Sequence, residues 1–164
     1  DKERPSTEIF KEILRVSKNQ IIWGGNYFAD ILPASQGWLV WNKGQRGFSL
    51  ADGEMAWTSF DKAMRIFDYA RAKQLNDEIR QHPTQKPVAL LEYLIKTYTQ
   101  EGETVLDFTA GSMSTAIACI NTNRNGIMIE KDEHYFKVGS DRVAQALQEL
   151  GDDRINQVLN EKEN

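Results

Sequence analysis

Ile9, Phe10, Ile13 and Leu14 recur at intervals that place them on one face of a helix, and Pro5-Ser6 just ahead suit its start. The pattern then changes period. "NQIIWGGN" (Asn19–Asn26) is a short apolar run stopped by Gly24-Gly25, and "GWLVWNKG" (Gly37–Gly44) is another bounded by glycines, so both predict strands. "EMAWTSF" and "RIFDYA", on either side of Asp61-Lys62, are weaker strand candidates, and the polar stretch Arg71–Arg80 reads as a loop or short helix. Pro87 opens an amphipathic helix with Val88, Leu91, Leu94, Ile95 and Tyr98 on one face. A buried strand over Thr104–Phe108, a helix over Ser114–Asn123, a strand within "NGIMIEKD" (Asn125–Asp132) and a last helix over Glu133–Leu150 complete the order; the polar residues 151–164 are expected to fray.

Strands that alternate with helices and read as continuous apolar runs predict an α/β fold, with a mostly parallel sheet and helices on both faces. The strand candidates between residues 37 and 69 have no helices between them, so they are expected to be antiparallel neighbours at one sheet edge. At 164 residues the chain is one ordinary domain or part of a larger one, and we expect a single domain over residues 1–150.

Composition sharpens this only a little. Forty per cent hydrophobic residues suffice for a core, one cysteine (Cys119) excludes an internal disulfide, and no apolar run approaches the roughly 20 residues of a membrane span. A cytoplasmic setting is the expectation. The sequence starts at Asp1 without an initiator methionine or signal peptide, and is read as trimmed at that end. The net charge of −4 is unevenly spread: residues 43–90 hold 8 basic and 6 acidic side chains, whereas residues 91–164 hold 7 and 13. Only the middle third is net basic, which fits either a solvated face or a phosphate-binding surface.

"TVLDFTAGSMST" (Thr104–Thr115) is where chemistry first shows. A strand ending in Asp107 delivers a loop, Thr109–Ser114, whose backbone N–H groups lie at a helix N-terminus; ligands of open α/β folds bind at such strand ends. Glu130 ends the next strand 23 residues later, near the spacing at which a carboxylate receives two ribose hydroxyls. Small residues at this join also simply let a helix pack on a strand, so the loop alone leaves both readings open. With Gly111 followed by Met113, where a second glycine is expected, a dinucleotide pyrophosphate is less favoured than a cofactor presenting an amino acid and a nucleoside, as S-adenosylmethionine does.

The combination is more specific than its parts. "HPTQKP" (His82–Pro87), a helix, "VLDFTAGSMST" and "IMIEKD" resemble motifs X, I and II of the amino-group DNA methyltransferases, in the order of their permuted subgroup of phage and restriction-modification enzymes. "NQIIWGGNYF" and "GWLVWNKGQRGFSLADGEMAWTSF" resemble the middle portion of the same enzymes. The resemblance covers the chain to about residue 148 and implies a Rossmann-like methyltransferase fold lacking its N-terminal strands. It implies methyl transfer from S-adenosylmethionine to the exocyclic amino group of adenine (N6) or, less favoured, cytosine (N4) in double-stranded DNA. It further implies that Asp107, Phe108, Thr109, Ala110, Gly111 and Ser112 wrap the methionine part of the cofactor, with Met113 in the same loop. Glu130 would bind the ribose, and His82, Pro83, Thr84, Gln85, Lys86 and Pro87 would close the pocket, with Lys86 near its mouth. Met113 departs from the family glycine. A methionine does not easily take a positive φ, so either a different loop path or weaker cofactor binding is expected.

The family catalyses with an Asp/Asn/Ser-Pro-Pro-aromatic motif, and this chain has no Pro-Pro: its prolines are Pro5, Pro33, Pro83 and Pro87. The permuted order places the motif upstream of Asp1, on a strand that lies centrally between those of Asp107 and Ile21. Its catalytic residues are therefore not named, and an N-terminal segment, a complementing chain or a homo-oligomer is expected to cover the two strand edges left open. Cys119 follows Ala118 within a predicted helix, unlike the Pro-Cys nucleophile of cytosine-C5 enzymes, and reads as a small core residue. Among basic residues Lys43, Arg46, Arg71 and Lys73 are the candidates for DNA contact, alongside Arg65 and Arg80. Trp38, Trp41 and Trp57 fit core packing better than contact with a flipped base. The alternative function is a non-catalytic remnant or subunit of the same fold that binds DNA or a partner protein.

Overall fold

In the computed structural model of the chain, residues 4–47, 49–77 and 84–162 are described. Contacts group them into two compact units, residues 1–77 and 78–164, so the boundary falls just before the "HPTQKP" segment.

The first unit holds α1 (Thr7–Val16), β1 (Ile21–Trp23), β2 (Leu39–Asn42), β3 (Gly53–Thr58), β4 (Arg65–Asp68) and α2 (Arg71–Asp77), with a short 3₁₀ turn at Gly25–Phe28. Its sheet runs β1-β3-β2-β4. β3 is antiparallel to β2, Val40 opposite Met55, as expected for neighbours without an intervening helix, and it is antiparallel to β1 as well, Ile22 opposite Trp57. β4 departs from that expectation: it pairs with β2 in parallel, Leu39 beside Arg65 and Trp41 beside Phe67. The reason lies in the connection. β3 leaves the sheet beside the start of β2, and the residues after it must pass the N-terminal end of β2 to reach its free edge. They do so over Gly37, where a Cβ would stand 2.4 Å from the Phe60 carbonyl oxygen and 2.6 Å from Thr58 Oγ1. A side chain at 37 would block that crossing.

α1 buries only part of the stripe read from its spacing: Phe10 and Ile13 face the core, whereas Ile9 and Leu14 are exposed. Phe10 is buried against Leu32 and Trp57, with Ile13, Ile22, Phe28 and Trp38 around them. Burial of one such aromatic side chain stabilises by about 1.5–3 kcal/mol. Trp41 and Trp57 are core residues, and each has its indole N–H spent at 2.8 Å, on the Tyr69 and Pro33 carbonyls.

The second unit holds α3 (Val88–Tyr98), β5 (Thr104–Asp107), α4 (Ser114–Asn121), β6 (Asn125–Met128) and α5 (Glu133–Lys162). Pro87 stands at the N-cap of α3 and is fully buried, which fits its lack of an N–H to leave unsatisfied. β5 and β6 are parallel, from Thr104 beside Asn125 to Asp107 beside Met128. One face packs Val105 and Met128 against Ile95, Ala118 and Cys119. The other face differs from the expected burial on both sides. Leu106 is 38% and Ile127 53% exposed, and Phe108 and Ile129 just beyond the strands are exposed too, so no described element of this unit covers that face. α5 extends to Lys162 where fraying was expected beyond Leu150. Ile155, Val158 and Leu159 continue a helical spacing that the polar composition of the segment obscured. No described helix is long and apolar enough to cross a membrane.

Candidate cofactor loop and basic surface

Everything distinctive about the β5–α4 join follows from two residues in left-handed conformation, Gly111 at φ 52° and Met113 at φ 58°. Between them the chain reverses from strand to helix. The turn is closed by Met113 N–H donating to the Ala110 carbonyl at 2.7 Å, while Ala110 N–H prolongs the β5–β6 ladder to the Ile129 carbonyl at 3.0 Å. Met113 thus takes a left-handed backbone, against the expectation that it would resist a positive φ. The compensation is packing. Its side chain is 5% exposed and sits with Ala110 and Ala116, next to Met128 and Val143. It fills the space over Gly139 of α5, where a Cβ would lie 2.5 Å from Met113 Cγ. Left-handed strain in a non-glycine residue costs about 1–3 kcal/mol, whereas deleting a buried methionine side chain costs about 2–5 kcal/mol. The packing term wins. Met113→Gly is therefore expected to destabilise the chain by about 1–3 kcal/mol in chemical denaturation; a stabilised variant would show that strain dominates.

Two carboxylates brace the loop. Asp107 accepts from Thr109 N–H (3.1 Å, Oδ1) and from the Thr115 hydroxyl in the first turn of α4 (2.6 Å, Oδ2). Glu130 accepts from Gly111 N–H (2.7 Å, Oε2) and from Asp132 N–H (2.9 Å, Oε1). Each carboxylate oxygen has two lone pairs, so each retains acceptor capacity beyond these bonds. From "HPTQKP", Gln85 is buried and accepts from the Ser112 hydroxyl at 2.9 Å; Lys86 is half-buried and Thr84 exposed. His82 and Pro83 lie outside the described residues. Structure thus unites Gln85, Asp107, Gly111, Ser112, Met113 and Glu130 around one short loop.

Three contributors had escaped the sequence reading: Thr115, Gly139 and Arg142. Arg142 Nη1 donates to the Ser112 carbonyl at 2.5 Å and to Ser114 Oγ at 3.2 Å. A signal was present. Gly139, Arg142 and Val143 stand at i, i+3 and i+4 of a predicted helix, and a glycine inside a helix calls for a packing reason. Cys119, by contrast, is inert. Burial, with the negative charge of Asp107 as a lesser cause, pushes its thiol up to about 11, so it stays protonated at neutral pH.

The basic candidates gather where β2 and β4 end side by side. Lys43 is buried, bridges to Glu54 at 2.7 Å and lies 4.9 Å from the Trp41 ring centroid; it ties β2 to β3 rather than standing open to a phosphate. Arg46 is exposed and donates to Asn42 Oδ1 at 3.2 Å, with Asp52 at 3.6 Å. Arg71 N–H caps the Lys43 carbonyl at 3.0 Å, and Lys73 is exposed over the Tyr69 ring at 5.3 Å. Arg65 is exposed on β4, and Arg80 lies outside the described residues. An open cleft elsewhere in this unit is lined by Leu14, Gln20, Pro33, Trp57, Ser59 and Asp61 and involves none of these residues.

The chain is 41% identical over 78 residues to the DNA adenine methyltransferase YhdJ of Escherichia coli (strain K12), a stretch covering 48% of this chain and 26% of that protein. It is 30% identical over 122 residues to the type II methyltransferase M.BglI of Bacillus subtilis, covering 74% of this chain and 34% of the relative. The chain thus spans about a quarter to a third of these curated relatives. Among solved structures, the M1.HpyAVI–SAM complex superposes with a TM-score of 0.66 at 27% identity, over 85% of this chain and 83% of the other. A DNA modification methylase from Thermus thermophilus, at 17% identity and TM-score 0.59 over 85% of this chain and 77% of the other, shares the fold. Residues 5–141 match the N6_N4_Mtase family of DNA methylases, a span that takes in both the four-stranded sheet and the braced loop, and to that family this chain belongs.

Proposed function

We propose that this chain is the cofactor-binding and DNA-facing part of an S-adenosylmethionine-dependent DNA methyltransferase, acting on the N6 amino group of adenine in duplex DNA, with cytosine N4 the second choice. The observation that carries the reading is the loop itself. Two left-handed residues turn the chain at the mouth of α4, Asp107 ends β5, and Glu130 stands two residues beyond β6 with its carboxylate on Gly111 N–H. That pair suits the charged and hydroxyl groups of the cofactor: carboxylates with lone pairs left over accept from an ammonium and from ribose hydroxyls. When bound, S-adenosylmethionine would supply a methyl group activated by its sulfonium.

The residues of this chain would then act by holding and excluding. Glu130 would accept the ribose hydroxyls with the lone pairs its backbone bonds leave over. Asp107 and the Phe108–Met113 backbone would surround the methionine end, while Gln85, through Ser112, ties the "HPTQKP" segment to the loop. His82, Pro83, Thr84 and Lys86 are assigned to the same pocket by their motif. Arg46, Arg71 and Lys73 are assigned to DNA phosphates, and Lys43 supports them from beneath the surface. The exposed Leu106, Phe108, Ile127 and Ile129 favour a further strand-bearing segment, in cis or on a second chain, over that face.

Titration calorimetry with S-adenosylmethionine tests the reading. Saturable binding near one cofactor per chain is expected, and absence of heat at millimolar cofactor would overturn it. YhdJ, a DNA adenine methyltransferase by name, favours adenine, whereas PvuII methyltransferase, named as cytosine-N4-specific, is alike in fold only.

A further inference from the structure

We infer that α5 positions the cofactor loop, through Arg142 as a tether and Gly139 as the notch that receives Met113. This deepens the cofactor reading above and rests on it. The loop residue Ser112 is buried, and the described partner of its carbonyl is the Arg142 guanidinium, which also reaches the Ser114 hydroxyl at the first residue of α4. A cation placed beside a helix N-terminus is disfavoured by the helix dipole. The bond to the Ser112 carbonyl holds the orientation of the peptide between the two left-handed residues. The N–H of that peptide is Met113's, which closes the turn on the Ala110 carbonyl at 2.7 Å. Three residues earlier on the same face, Gly139 leaves room that Met113 fills; a Cβ there would meet Met113 Cγ, Sδ and Cβ at 2.5, 3.0 and 3.1 Å. Val143, one residue beyond Arg142, packs on the Ala110–Met113–Ala116 cluster. Tether, notch and support lie on one helical stripe. A family glycine at 113 would need no such notch, so the stripe answers this chain's own departure.

The experiment uses the full chain with two readouts. One is the Kd for S-adenosylmethionine; the other is amide hydrogen exchange of Gly111 and Ala110 without cofactor, which reads loop order directly. Arg142→Met should weaken the cofactor about ten-fold or more and speed exchange at Gly111 by a similar factor. Arg142→Lys should recover part of both, because one ammonium keeps the charge but not the two-acceptor reach. Gly139→Ala, a second route should Arg142→Met not fold, should weaken binding, and Met113→Gly added to it should restore binding by vacating the space. Ile95→Val, in the α3–α4 core away from the loop, should lower the melting temperature and leave both readouts within about two-fold of wild type. Unchanged Kd and exchange in Arg142→Met and Gly139→Ala, in a wild-type background that binds cofactor, overturn the inference. If the wild type binds no cofactor, the functional reading fails by itself, and the exchange arm still decides whether α5 orders the loop.

Discussion

Incubated with tritiated S-adenosylmethionine and mixed duplex DNA, the 164-residue chain is expected to incorporate no label into DNA. Direct transfer requires the target amino nitrogen to be held within reach of the methyl, and such positioning supplies about 7–11 kcal/mol of the barrier in well-oriented reactions. Its four prolines are separate, so the Pro-Pro-aromatic grip implied by the family resemblance is not in this sequence. Neither loop carboxylate is assigned to that grip: Asp107 and Glu130 brace the loop, and their remaining lone pairs are assigned to the cofactor. The same preparation should self-associate in light scattering, because Leu106, Phe108, Ile127 and Ile129 present an apolar face on a sheet that has two strands among the described residues. Supplying a segment with the Pro-Pro-aromatic motif, in cis or as a second chain, should give a monodisperse species and label on an adenine or cytosine amino group. Incorporation by the bare chain would sink this account and place the active site among residues assigned here to packing.

The second large effect concerns Glu130. Glu130→Ala is expected to weaken S-adenosylmethionine by about 1.5–3 kcal/mol, or roughly ten- to 150-fold in Kd, the loss typical of a charge-assisted hydrogen bond. Two causes contribute: loss of a ribose acceptor, and loss of the bond that holds Gly111 N–H at 2.7 Å. Glu130→Gln separates them. Its amide oxygen still accepts from Gly111, while its NH2 group gives up the bond from Asp132 N–H and offers no second acceptor to a pair of hydroxyls. Affinity near wild type in the glutamine variant assigns the effect to loop bracing, whereas affinity near that of the alanine variant assigns it to the ribose. Wild-type affinity in Glu130→Ala rules out the assignment altogether.

What sequence alone determined was local and periodic. The α1 stripe that buries Phe10, the Pro87 start of α3, the β5–loop–α4 join and the spacing from Asp107 to Glu130 were all legible, because each depends on side chains a few residues apart or on a fixed motif order. The core role of Cys119 was legible too, as a small residue inside an apolar helix. Tertiary structure decided the rest. That β4 would run parallel to β2 depended on a crossing over Gly37, a contact between segments more than 20 residues apart. That Met113 would accept a left-handed backbone depended on a helix 26 residues further on, whose Gly139 gives its side chain somewhere to go. That Lys43 would be buried on Glu54 depended on strand register, which charge counting along the chain does not contain. A sequence window records the cost of a strained residue or a buried charge. The compensation arrives from whichever distant element folds against it, and only the folded chain brings the two together.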